Sequence, residues 1–174
     1  MTALATTLAL LMAGVPSSSL PLRTFDEIRF EGVSRQSAEP SCATASIATL
    51  MQMRRGVHLS EAALWQEHLA RLSDADLEIT LANGLSIGDI RRILLRLGQP
   101  TDAVRISLLD LARTGEPAIV HLERRGAQPF RHFVVFEALE GTTVVLRDPA
   151  YGLRRIQIAA FMRHWTGVAV FLRP

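Results

Sequence analysis

Hydrophobic positions change their spacing once along the chain. Between residues 42 and 113 they recur at helical intervals, and from Pro117 onward they gather into short β-type runs. Cys42 opens a stretch rich in Ala, Ile, Leu and Met that predicts a helix to about Arg54 or Arg55, with Gly56 as its C-cap. Ser41 is the expected N-cap, and Pro40 marks the break before it. Ser60 predicts the start of a second helix, Glu61 to Leu72, with Leu64, Trp65, Leu69 and Leu72 on its apolar face. After the Asn83-Gly84 turn, Ser86 and Asp89 form a capping-box pattern. Ile87, Ile90, Ile93, Leu94 and Leu97 then predict a third helix, stopped by Gly98-Gln-Pro100. A short fourth helix is expected over Leu108 to Arg113.

The second half reads as strands at Ala118–Leu122, His132–Phe136, Thr143–Leu146, Leu153–Ile158 and Gly167–Leu172. One or two helical turns are expected between Ala159 and Trp165. Phe25 to Glu31 reads as an edge strand, and Gly32 to Pro40 as loop. Short connections favour antiparallel pairing. The predicted class is therefore α+β, a helical half packed on a C-terminal antiparallel sheet.

Ahead of this, residues 2–15 form an uncharged apolar run followed by Pro16 and three serines. It is too short for a membrane span, which needs roughly 20 apolar residues, and it has the length of a signal-peptide core. The expected organisation is an export leader over 1–20 and one domain over 21–174, with no stable membrane span in the mature chain. The expected location is periplasmic or secreted. The 19 basic and 17 acidic residues leave a net charge of +2, without a basic run interleaved with aromatics, so nucleic acid is not an expected partner. A single cysteine rules out an internal disulfide and a multi-cysteine zinc site. No cofactor is expected.

That cysteine carries the candidate chemistry. A thiol in the first turn of a helix faces unpaired N–H groups and the positive end of the helix dipole, both of which favour the nucleophilic thiolate. Gln36, six residues upstream, could donate to an oxyanion formed at the sulfur. A cysteine nucleophile also needs a base, and the base an orienting group. Of five histidines, His58 and His68 read as surface residues by the second helix, His121 as a mid-strand residue and His164 as the end of a short helix. His132 differs, because it starts a rigid strand after the loop Arg124–Pro129. Asp148, 16 residues later at the end of the next strand, could meet His132 across a hairpin. Each residue alone has an ordinary explanation: an inert buried cysteine, a turn-forming Asp before Pro.

Four blocks taken together resemble a known family. Gln36-x5-Cys42-x-x-Ala45-x-Ile-Ala, His132-Phe-Val-Val, Asp148-Pro-x-x-Gly152 and Phe161-x3-Trp165-x-Gly167 are similar, in order and spacing, to the bacteriocin-processing cysteine peptidases that cut after double-glycine leaders. The resemblance implies a papain-like fold, with Cys42 as nucleophile, His132 as base and then acid, Asp148 as its orienter and Gln36 as oxyanion donor. It implies a peptide or protein substrate, cut after small residues such as Gly-Gly, and it makes secretion-system components candidate partners. Many relatives are N-terminal domains of export transporters, and this chain looks like a stand-alone version. Two positions depart from the pattern: Ala43 stands where the family usually has Gly, and Ser41 where it often has an acidic residue. Ala43 motivates an alternative, a catalytically silent module that binds a partner peptide in the same cleft. A third reading is an acyl or peptidyl transferase on the same residues.

Overall fold

A computed structural model describes residues 22–124 and 130–174. The apolar run of residues 2–15 and most of the loop before His132 lie outside the described residues. The helices are α1 (Phe25–Arg29), α2 (Cys42–Arg55), α3 (Glu61–Leu69), α4 (Asp74–Asn83) and α5 (Ile87–Arg96). The strand β1 (Thr101–Arg105) and helix α6 (Leu108–Arg113) follow. The remaining elements are β2 (Ala118–Arg124), β3 (Phe130–Glu140), β4 (Thr143–Asp148), β5 (Gly152–Gln157), α7 (Ile158–Met162) and β6 (Trp165–Leu172). The class is α+β, as expected.

Among the described residues the six strands join one antiparallel sheet in the order β1-β6-β2-β3-β4-β5. The last strand is thus not an edge: β6 lies between β1 and β2. Two apolar clusters hold the molecule together. One joins α2, α3 and α5 to the sheet through Ile47, Leu50, Trp65, Ile90, Leu94, Ile119, Phe133 and Val135. The other joins α6 and α7 to the sheet through Leu111, Val120, Val134, Phe136, Leu146, Phe161 and Trp165. Helix α2 is the axis of the first cluster, and its residues Cys42 to Met51 are all buried. The Ser46 hydroxyl donates to the Phe133 carbonyl at 3.0 Å, which docks α2 directly on β3. A buried hydroxyl with a partner avoids the cost of an orphaned polar group.

Several expectations need correction. Phe25–Arg29 is helix, not edge strand. Thr24 accepts from the Glu27 N–H, and the Glu27 carboxylate accepts from the Thr24 N–H, so a capping box nucleates a turn that apolar alternation had concealed. The helix α4 was not expected, although Ser73 caps it by accepting from the Asp76 N–H. β1 was also unread, because only its first residue is buried and no alternation marks it. The second helix ends at Leu69 rather than Leu72, and Trp165 belongs to a strand rather than to the preceding helical turn. Ser41 precedes α2 but does not cap it with its side chain. A 3-10 turn over Glu39–Ser41 leads into the helix instead, and the Ser41 hydroxyl donates to the Ala38 carbonyl at 2.9 Å.

Candidate active site

The 3-10 turn delivers Cys42 to the first position of α2, where the helix begins against the sheet. Its sulfur is near enough to the His132 ring to bear on that ring's titration. Cys42 is buried, with 6% of its surface exposed. Ala43 is wholly buried within the helical core cluster, so its methyl packs inward.

His132 is the third residue of β3 and lies opposite Leu122 of β2. Its Nε2 bonds Asp148 Oδ1 at 2.8 Å, which assigns that nitrogen as donor because an ionised carboxylate can only accept. The other ring nitrogen remains for Cys42. Asp148 ends β4 and is fully buried. Its Oδ1 also accepts from the Ala150 N–H at 2.9 Å, and its Oδ2 accepts from Arg154 at 3.1 Å.

Burial alone would push the His132 ring below its usual value. The hydrogen bond to Asp148 and the charge of that carboxylate, with the nearby Cys42 sulfur, outweigh it and raise the ring to about 9. Burial likewise pushes the Asp148 carboxyl up, but His132, the Ala150 N–H and Arg154 together hold it below the ordinary carboxylate value. The pair therefore favours imidazolium and carboxylate at neutral pH.

Gln36 lies on the loop ahead of the 3-10 turn. Its Nε2 donates to the carbonyls of Ala38 and Glu39, each at 3.2 Å, and its Oε1 is buried without a hydrogen-bond partner. The loop is held at three further points. The Gln36 N–H donates to the Pro149 carbonyl at 3.1 Å, the Ser37 N–H to the buried Glu61 at 3.2 Å, and the Ser34 N–H to Thr49 Oγ1 at 2.9 Å. Glu61 also accepts from the Thr44 hydroxyl at 3.1 Å. Sequence reading missed Glu61 and Arg154, because neither carries a local signal: their partners lie 24 and 6 residues away.

The other histidines stay apart from this cluster. His68, expected at the surface, is buried beside Asp89 and Arg96, and burial lowers its ring below the usual value. The His121 ring packs tilted against Phe133, and the His164 ring tilted against Phe130. Among the described residues no group of three His, Cys, Asp or Glu side chains could hold a metal ion.

The architecture is that of the papain-like peptidase domains. The peptidase domain of Streptococcus ComA, a bifunctional ABC transporter of a quorum-sensing pathway, superposes with a TM-score of 0.66 at 23% identity, covering 82% of this chain and 97% of that one. A double glycine motif protease from an AMS/PCAT transporter, in complex with its leader peptide, superposes with a TM-score of 0.58 at 21% identity, over 82% and 90% of the two chains. The chain belongs to the Peptidase C39 family, whose pattern matches residues 31–174. It is 33% identical over 147 residues to the probable functional amyloid protease FapD of Pseudomonas aeruginosa, across 84% of this chain and 62% of that protein. It thus spans less than two thirds of the length of that relative.

Proposed function

We propose that the protein is a cysteine endopeptidase acting on an exported peptide or protein. The observation that carries this reading is the hydrogen bond from His132 to the fully buried Asp148, with the Cys42 sulfur near enough to the same ring to bear on its titration. In such a pair the thiolate attacks the scissile carbonyl while the imidazolium stands ready to protonate the leaving amine. His132 then takes a proton from water, and the hydroxide releases the acyl group from Cys42 as a carboxylic acid. Asp148 holds the ring in the tautomer that leaves the other nitrogen facing sulfur. Gln36 donates to the oxyanion, which requires one Nε2 hydrogen to leave its loop carbonyl as the carbonyl oxygen of the substrate arrives.

Cleavage after small residues such as Gly-Gly rests on the likeness to a double glycine motif protease. Likeness to a double glycine motif protease caught with a leader peptide, and to a probable functional amyloid protease, supports a secreted peptide or fibre subunit as substrate. Residues 1–20 would direct export, placing the enzyme in the periplasm or outside the cell beside secretion-system partners. Against the silent-module alternative, Ala43 is fully buried in the helical core cluster, so its methyl is not exposed to a substrate.

The test is incubation of purified protein with a peptide library carrying Gly-Gly at varied positions. Wild type is expected to yield products ending in a new free carboxylate, and Cys42→Ala none. Tight peptide binding without cleavage by wild type would support the silent module instead.

A further inference from the structure

Asp148 is anchored through both carboxylate oxygens, and the second anchor comes from outside the constellation described so far. Oδ1 is shared between His132 and the Ala150 N–H, while among the described residues Arg154 is the donor to Oδ2, at 3.1 Å. The β4–β5 register pairs Asp148 with Gly152 and Leu146 with Arg154, so Arg154 stands diagonally across the ladder from the carboxylate. Its guanidinium also lies 5.1 Å from the centre of the exposed Tyr151 ring.

We infer that Arg154 is a positioning residue for the peptidase reaction, clamping Oδ2 so that Oδ1 of the Asp148 carboxylate stays aimed at His132. The inference rests on the peptidase reading above. A carboxylate held at one oxygen can still rotate about its Cβ–Cγ bond, and a second donor on the other oxygen fixes its plane. The charge of Arg154 also offsets the cost of leaving a fully buried carboxylate ionised. Its sequence neighbour shows the contrast. Arg155 reaches Glu140 at 3.5 Å, with both side chains 56% exposed, a surface pair worth little.

Asp148 answers to His132 on β3 and Arg154 on β5, and His132 to Asp148 on β4 and Cys42 on α2. Loss of the guanidinium makes Asp148 easier to protonate, so the carboxylate that holds the His132 ring is lost at a higher pH as pH falls. The acid limb of Cys42 reactivity, which needs that ring held in place, therefore moves up.

The experiment follows alkylation of Cys42 by iodoacetamide between pH 3 and 8, with melting temperature as a folding control. Arg154→Gln is expected to move the acid limb up by roughly one pH unit. Arg154→Lys is expected to recover more than half of that shift. Arg155→Gln, which removes the same charge nearby, is expected to leave the limb in place. An Arg154→Gln limb that coincides with wild type and Arg155→Gln overturns this inference alone. A wild-type Cys42 no more reactive than in unfolded protein overturns the peptidase reading, and this inference with it.

Discussion

The backbone N–H of Gln36 donates to the carbonyl of Pro149 at 3.1 Å. This bond joins the loop that leads into Cys42 to the turn that follows Asp148, which lie more than a hundred residues apart in sequence. The candidate oxyanion donor and the candidate orienting acid therefore share one piece of backbone scaffolding. Displacing either loop should disturb the other, and the two can be probed separately.

Gln36→Ala tests the oxyanion role. It is expected to lower kcat by about 10²-fold with little change in KM, the usual cost of removing one such donor. Alkylation of Cys42 should stay near wild type, because alkylation develops no oxyanion. A parallel fall in alkylation would assign Gln36 to shaping the loop instead.

Gly152→Ala tests the turn. Gly152 has φ +77°, and a Cβ there would run into the Arg29 carbonyl oxygen. The expected cost is about 2 kcal/mol in urea denaturation. Because Gly152 pairs with Asp148 at the end of β4, kcat should fall as well.

Asp148→Asn keeps the shape but removes the charge and mis-sets the His132 tautomer. A fall in kcat on the order of 10²- to 10⁴-fold is expected. Asp148→Ala also leaves buried donors unpaired and should cost about 2 kcal/mol of stability. Steady-state kinetics with denaturant titration separates the two effects.

Stability should depend on pH in two windows. His132 is raised from 6.5 in the unfolded chain to about 9 when folded. Its contribution is fully present below 6.5 and is lost as pH rises through about 9. That shift is worth roughly 3 kcal/mol at most. Asp148 is lowered from 3.8, so its contribution is present above 3.8 and is lost as pH falls through its folded value. Melting temperatures between pH 2 and 10 should decline on both sides, and His132→Ala should flatten the alkaline decline.

Much of this architecture is legible in the sequence where a residue's role is set by its near neighbours. The apolar run after Cys42 and the left-handed Gly56 delimit α2 to within a residue, and the β-branched runs mark five of the six strands among the described residues. Elements with weak patterning escaped. β1 buries one residue of five, and α4 is mostly exposed, so neither shows a period. α1 had a signal in Thr24 and Glu27, but apolar Phe25, Ile28 and Phe30 obscured it. His68 was misplaced because its burial comes from α5, which no local pattern reports. At the site, spacing could bring His132 beside Asp148 across a hairpin. It could not show that Arg154 and Glu61 brace the carboxylate and the loop, since those contacts exist only once β5 and α3 have packed.

The most direct measurement is the rate of Cys42 alkylation at pH 6, followed by intact mass for native wild type, native His132→Ala and unfolded wild type. If the His132–Asp148 pair activates the sulfur, native wild type should react at least about tenfold faster than both others. Equal rates in native wild type and His132→Ala, or slower reaction in the native than in the unfolded chain, would contradict the account.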